Sequence, residues 1–164
     1  MIFVTVGTHE QQFNRLVKYM DLWAKDHDEQ VVMQTGYSTY EPEYCEWSKL
    51  YPYEEMVNMV NKSRIVITHG GPSSFIMPLQ IGKIPIVVPR RKEFDEHVNN
   101  HQVDFCDQVE KRQGNIIVVD DINHLGNVIV NYDNFVNGLS NGLTSNNKLF
   151  CVKLMKIINK TVKK

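Results

Sequence analysis

Five short runs rich in Val and Ile, at Ile2–Val6, Val31–Met33, Ile65–Ile67, Ile84–Val88 and Ile116–Val119, alternate with stretches whose apolar residues recur at helical spacing. Phe13, Leu16, Val17, Met20 and Trp23 form one such stripe, and Met56, Val57, Met59 and Val60, in a segment opened by "YPYEE", form another. A turn and a helix are expected after Ile67, a helix from about Asp95 to Lys111, and two more helical patterns before the chain ends. Near-continuous Val/Ile strands separated by amphipathic helices imply parallel strands covered on both faces, because each crossover helix must bury its stripe on the sheet. The expected fold is α/β, a single open, Rossmann-like parallel sheet. The stretch from Gly36 to Leu50, with Pro42, Cys45 and Trp47, has room for a further short strand that the pattern does not place.

A chain of 164 residues with 42% hydrophobic composition builds one sizeable core, so one domain over residues 1–164 is expected. The Asn/Gly-rich "NYDNFVNGLSNGLTSNN" reads as a flexible connection before a last helix. Eighteen Lys+Arg against 19 Asp+Glu leave no net field to recruit nucleic acid. The balance is uneven along the chain, for no acidic residue follows Asp133, while Lys148, Lys153, Lys156, Lys160, Lys163 and Lys164 make the tail basic. Cys45, Cys106 and Cys151 are far apart and form no Cys-x-x-Cys pair, which points to reduced structural thiols. No basic region followed by an apolar run opens the chain, and no stretch approaches about 18 consecutive apolar residues, so a cytoplasmic protein is expected.

In open α/β sheets ligands bind beyond the carboxyl ends of the strands, which makes the residues after each strand the ones to read. Three polar strand ends stand out: Gly7-Thr8-His9-Glu10, Thr68-His69-Gly70-Gly71-Pro72-Ser73-Ser74, and Pro89-Arg90-Arg91-Lys92. Gly70 and Gly71 let backbone approach a ligand, Pro72 suits a first helical position, and Ser73 and Ser74 bring hydroxyls to a helix start prepared for an anion such as phosphate. An ordinary Gly-rich turn with a proline start accounts for the same residues, and both readings stand. Neither glycine loop fits G-x-G-x-x-G, and no G-x-x-x-x-G-K-[ST] occurs, which removes support from nicotinamide and P-loop readings. His97 and His101 are four apart, on one expected helix face, but no Glu follows His97 and no third ligand is evident, so no metal site is expected.

"FVTVGTHEQQFNRL", "THGGPSS", "GKIPIVVPR" and "EHVNNHQVDF", in this order, resemble the carboxyl-terminal, donor-binding domain of family 28 glycosyltransferases, over about residues 1–130. Within that family the chain is most similar to the small bacterial exopolysaccharide and capsule transferase subunits of the PssE/EpsF type, and more distantly to the catalytic subunit of the eukaryotic two-part UDP-GlcNAc transferase of N-glycan synthesis. The resemblance implies the C-terminal half of a GT-B glycosyltransferase, a crevice for a UDP-sugar donor, inversion at the anomeric carbon, and neither metal nor cofactor. It places His69, Gly70, Gly71, Ser73 and Ser74 at the diphosphate and Gly7, Thr8 and His9 at the phosphates or the reacting centre. Arg90 adds charge nearby, and His101 and Gln102 match the pair that the wider group uses on donor-sugar hydroxyls. His9 and Glu10 are the proton-transfer candidates on the first loop, with a surface role open for each and a base on another chain as the alternative. One position departs from the pattern: larger relatives hold the ribose with a Glu five residues before the glycine of the "GKP"-like turn, and Met77 stands there.

A complete GT-B enzyme has two such domains, and a UDP-sugar 2-epimerase of the same ancestry likewise needs both in one chain. The resemblance therefore implies a membrane-attached, acceptor-binding partner subunit and recruitment to the inner face of the plasma membrane. It further implies transfer to a lipid-linked saccharide in exopolysaccharide or capsule synthesis, a galactosyl donor being the first expectation. The competing class is a non-catalytic sugar-nucleotide-binding or regulatory module that stabilises a partner. Residues 147–164 read as a basic amphipathic helix: Phe150, Cys151, Leu154, Met155, Ile157 and Ile158 share one arc, and Lys153, Lys156, Lys160 and Lys164 another. A core helix and a helix at a partner or anionic membrane surface are both compatible with it.

Overall fold

The computed structural model describes residues 1–139 and 147–162, with side chains for 1–139 and 151–161. Six strands, β1 (Ile2–Thr5), β2 (Val31–Gln34), β3 (Glu46–Ser48), β4 (Ile65–His69), β5 (Ile86–Val88) and β6 (Ile117–Val118), form one sheet in the order β3-β2-β1-β4-β5-β6. Every pairing is parallel. The helices are α1 (Asn14–Lys25), α2 (Tyr53–Lys62), α3 (Pro72–Gln80), α4 (His101–Gln113), α5 (Leu125–Val130), α6 (Tyr132–Gly138) and α7 (Asn147–Val162). The chain runs outward from β1 to β3 and returns on the other side at β4, so the loops leaving β1 and β4 diverge and open a crevice between them.

Both faces of the sheet are covered, as the unbroken apolar runs require. Ile2 and Val4 pack with Leu16, Val17 and Met20 of α1 on one face, while Phe3 and Val66 meet Val60 of α2 on the other. Val87 packs against Phe75 of α3 and Cys106 of α4. The stripe anticipated for α1 is buried and includes Asp21, a carboxylate with no exposure at all.

Four local readings change. The unplaced strand between Gly36 and Leu50 is β3, which pairs with β2. The helix anticipated from Asp95 begins only at His101, because Glu96 is buried and its carboxylate accepts from Arg15 Nε and Nη2 (both 2.9 Å) and from the Arg91 amide (3.0 Å). That anchoring, with Asp95 in the left-handed region at φ 54°, bends the chain into a loop and puts His97 there. Among the described residues three α-helices rather than two follow β6, and one of them, α6, occupies part of the Asn/Gly-rich stretch. Tyr132 holds α6 to the body: it is buried and its hydroxyl donates to the Ile84 carbonyl at 2.6 Å. Residues 140–146 of that stretch lie outside the described residues. Finally, the described side chains of α7 are exposed, including Val152, Leu154, Met155, Ile157 and Ile158, so they are not part of this chain's core; Phe150 lies outside the described side chains. Among the described residues no helix is long and apolar enough to cross a membrane.

Candidate functional site

The ends of β1 and β4 meet around the ring of His69. Its Nδ1 accepts from the Gly71 amide at 3.0 Å, and an amide N–H can only donate, so the ring proton resides on Nε2 and is donated to Ser74 Oγ at 2.9 Å. The Ser74 hydroxyl thereby keeps its own proton for another acceptor. A Cβ on Gly7 would stand 2.4 Å from His69 Nε2, and one on Gly71 2.2 Å from Cε1, so the imidazole is wedged between the two glycines. A Cβ on Gly70 would meet Cys106 Sγ at 2.9 Å and Gln102 Oε1 at 3.0 Å, which makes that glycine the condition for α4 to close on β4. The glycines were expected to admit a ligand; the space beside each is filled by protein instead.

Over this junction lies a cleft of about 660 Å³. One end is polar, formed by Gly7, Thr8, His9 and Glu10 from the β1 loop and by Ser73 and Ser74 from the start of α3. The other is apolar, formed by Met56 and Val60 of α2 and Met77 of α3. At its base Thr5 Oγ1 accepts from the Gly7 amide and from Gln34 Nε2, each at 3.2 Å, while Gln34 Oε1 accepts from the Tyr51 amide at 3.1 Å. Both side chains thus have partners within the protein. Pro72 opens α3 without an N–H and the Ser74 amide donates to the Gly71 carbonyl at 3.0 Å, so the first turn brings to the cleft the positive dipole end of the helix together with Ser73 and Ser74. Among the described residues no Lys or Arg lines the cleft. Sequence reading missed Met56, Val60 and Gln34 as site residues; a polar Gln directly after an apolar strand was the available signal, while Met56 and Val60 look like any helix stripe.

Arg90 does not face the cleft. It is fully buried, and its guanidinium donates to the carbonyls of Gln11 (2.9 Å), Gln12 (2.8 Å), Glu96 (3.1 Å) and Val6 (2.9 Å) while lying 4.8 Å from the Phe13 ring. This corrects the expectation of a ligand contact: the side chain ties three loops together, and burial lowers its pKa to about 10, against the opposing charge of Glu96. Its charge is felt at His69, whose pKa falls from 6.5 to about 4, first through burial and then through Arg90. His69 is therefore neutral at physiological pH.

His9 and Glu10 are exposed on the β1 loop, and His9 Nδ1 accepts from the Gln11 amide at 3.2 Å. In that tautomer His9 presents an N–H donor, and Glu10 is the acceptor on the loop. His101 and Gln102 line a neighbouring cavity of about 410 Å³ on the far side of Gly70 and Gly71, not the larger cleft. Gln102 is buried with Oε1 accepting from the Arg90 amide at 3.2 Å, which leaves its NH2 group for other partners. His101 is exposed and donates through both its amide and Nδ1 to Asn99 Oδ1. His97 bridges the two regions, its ring 5.3 Å from that of His9 and 4.6 Å from that of His101. Burial, then the charges of His101 and His9, lower its pKa. Among the described residues no three His, Cys, Asp or Glu side chains come together as metal ligands.

Residues 1–141 match the glycosyltransferase family 28 C-terminal domain. The UDP-N-acetylglucosamine transferase subunit ALG13 of Yarrowia lipolytica is 27% identical over 105 residues, 64% of this chain and 44% of that protein. The chain thus spans less than half the length of this curated relative. Two solved structures share the fold: the glycotransferase of kitacinnamycin (TM-score 0.51, 18% identity, 79% of this chain and 34% of that one) and the glycosyltransferase SnogD from Streptomyces nogalater (TM-score 0.51, 15% identity, 92% and 43%). The six-stranded sheet corresponds to one half of a GT-B glycosyltransferase.

The wedge of His69 yields two expectations. Gly71 has an ordinary φ of −79°, so Gly71→Ala should cost about 1–3 kcal/mol through the clash alone, and His69→Ser should remove most of that cost in a double-mutant cycle read by urea denaturation. Equal costs in both backgrounds would place the strain elsewhere. The second concerns acid. Between about pH 6.5 and pH 4 the unfolded chain binds a proton that folded His69 refuses, so stability rises with pH across that window and is lost on acidification. The amplitude should be about 3 kcal/mol, levelling below the folded pKa, and His69→Asn should flatten that part of the stability–pH curve.

Proposed function

Because the chain belongs to the family of glycosyltransferase family 28 C-terminal domains, we propose that it is the donor-binding, catalytic half of an inverting UDP-sugar glycosyltransferase whose acceptor half is a second subunit. The observation that carries this is the cleft at the point where the strand order reverses, polar at the start of α3 and apolar at Met56, Val60 and Met77. A nucleoside diphosphate has the matching polarity. Its phosphates would lie on the α3 N-terminus, the hydroxyls of Ser73 and Ser74 and the His9 N–H, and its nucleoside along the methionine wall. His69 serves by orienting the Ser74 hydroxyl, and Arg90 by fixing the loops. His101 and Gln102, in the adjoining cavity, would take the donor sugar's hydroxyls.

In the proposed reaction the acceptor oxygen attacks the anomeric carbon as the bond to the diphosphate breaks, UDP leaves with that electron pair, and a base removes the acceptor proton. Glu10 is the acceptor on the β1 loop that suits the base, with a group of the partner as the alternative. The growing charge on the leaving diphosphate is met by the helix dipole and hydroxyl donors, without a metal ion. Among the described residues no cationic side chain lines the cleft, so a partner has an electrostatic as well as a steric contribution to make. The name of the yeast relative, a UDP-N-acetylglucosamine transferase subunit, supports both a UDP-sugar donor and a divided enzyme. We extend the proposal to a membrane-attached partner, a lipid-linked saccharide acceptor in exopolysaccharide or capsule synthesis, and a galactosyl donor. The exposed apolar and lysine faces of α7 support docking to that partner at the inner membrane face.

Calorimetry on the isolated chain should show UDP binding that is unchanged when magnesium is removed by chelation. Ser74→Ala should weaken it by about 1–3 kcal/mol with an unaltered circular dichroism spectrum. Strict magnesium dependence would overturn the metal-free site. A second measurement addresses the division of the enzyme: on membranes, the chain alone should transfer little or no sugar, and co-expression with a membrane-attached acceptor subunit should restore transfer. Deleting residues 147–164 should weaken their co-purification. Full transfer by the purified single chain would sink the two-part reading.

A further inference from the structure

Residues 35–45, between β2 and β3, form a loop that contributes nothing to the cleft, yet the protein invests many polar contacts in ordering it. Asp21 of α1 is buried, and its carboxylate accepts from the Tyr40 hydroxyl (2.8 Å), the amides of Glu43 (3.0 Å) and Tyr44 (2.8 Å) and the Cys45 thiol (3.2 Å). Burial alone would raise its pKa, but these hydrogen bonds outweigh it and hold the carboxyl below its ordinary range. Asn14 of α1 accepts from the amides of Thr39 (2.9 Å) and Tyr40 (3.1 Å) and donates to Thr39 Oγ1 (2.8 Å). The Trp47 indole donates to the Pro42 carbonyl at 3.0 Å. A loop of this length held this firmly is a preformed surface rather than a connector.

What it forms is a cavity of about 490 Å³ walled by Tyr37, Tyr40 and Trp47 and edged by Thr39, Glu41 and Lys49. Tyr37 is 53% exposed. The Tyr37 hydroxyl, the Glu41 carboxylate and the Lys49 ammonium have no hydrogen-bond or ion-pair partner among the described residues. Aromatic walls offer flat apolar faces, the polar rim supplies both donors and acceptors, and one acid set against one base leaves no net charge to select an ion. That combination suits a neutral, polyhydroxylated ring. The cavity also sits at the catalytic edge, since Gly36 in its wall approaches the β1 loop so closely that a Cβ there would be 2.8 Å from the Gly7 carbonyl.

We propose that this cavity is a saccharide subsite distinct from the donor cleft: a neutral pyranose ring of the acceptor lies against Tyr37 and Trp47, with its hydroxyls on Thr39, Glu41 and Lys49. The assignment rests on the glycosyltransferase reading for the choice of a saccharide. The site lends this chain a share in holding the acceptor beside the donor.

The test uses the full, isotope-labelled chain and its two indole N–H signals, from Trp47 in the cavity and Trp23 away from it. Methyl glycosides of glucose, galactose and N-acetylglucosamine are titrated to about 100 mM, the range of weak single-ring binding. At least one should shift the Trp47 indole and Gly36 amide signals saturably while Trp23 stays still, and Tyr37→Ala should weaken that binding at least about fivefold with melting temperature unchanged. No saturable shift with any of the three glycosides would overturn the subsite, as would a Trp47 response to uridine or UDP in place of the glycosides. The Ser73 and Ser74 amides report UDP in the same sample. UDP binding there without a glycoside response removes the subsite alone, and a glycoside response without UDP binding removes the nucleotide reading instead.

Discussion

The imidazole of His69 lies where the sheet, the β1 loop and the start of α3 come together, and each of those parts is shaped to it. Gly7 and Gly71 leave it room on either side, the Gly71 amide fixes its tautomer, and the proton left on Nε2 sets the Ser74 hydroxyl. The geometry of the proposed phosphate end is thus dictated from below, by a side chain that is 7% exposed and stays uncharged. A Gly-rich strand end is often explained by the ligand it admits. Here the first demand on the glycines is made by the protein, and any ligand inherits the surface that results.

The same economy of position governs Arg90. A guanidinium whose two terminal nitrogens donate to four backbone carbonyls holds the β1 loop, the residues after it and the loop around Glu96 in one arrangement, and burial keeps it from the solvent side of the crevice. Arg15 and Glu96 add a second tie between α1 and the loop that precedes α4. Rigidity at the carboxyl edge is therefore obtained with the cations that a diphosphate would otherwise attract. What faces the cleft instead is a helix terminus and hydroxyls, and each such contribution is small, about 0.3–1 kcal/mol for an exposed helix end. In the proposed reading this makes closure by a second surface an electrostatic necessity, since the same dipoles gain strength once water is excluded.

Much of this was legible in the sequence because the sheet is buried on both faces. The runs at Ile2, Val31 and Ile65 have no polar alternation, and the stripe from Phe13 to Trp23 fits only a helix that covers them; the reading of strand ends then put Gly7–Glu10 beside His69–Ser74, where the structure also has them. The failures are of another kind. The helix anticipated from Asp95 is cut short by Glu96, whose partner Arg15 is 81 positions away, and the glycines answer to a ring that local spacing cannot place. Arg90, after a strand at the carboxyl edge, was read as charge beside the diphosphate, and only its carbonyl partners, distant in sequence, reveal otherwise. The Asn/Gly-rich stretch concealed α6 since Tyr132 anchors it through the carbonyl of Ile84, a contact absent from any local pattern.

Met77 shows how a single apolar position propagates into the proposed chemistry. With Met56 and Val60 it makes one end of the cleft a wall without hydrogen-bonding side chains, while the polar groups beneath, Thr5 and Gln34, are spent on each other, on Gly7 and on Tyr51. A nucleoside bound there would gain affinity from apolar contact and lose little on exchange of a ribose hydroxyl, because no buried polar group would be left unpaired by the change. Selectivity for the donor would then have to come from outside the cleft, in the proposed reading from His101 and the Gln102 side chain in the adjoining cavity and from whatever closes over it. In the proposed reading, a half-site built this way would hold its donor loosely and become discriminating only when the second wall arrives.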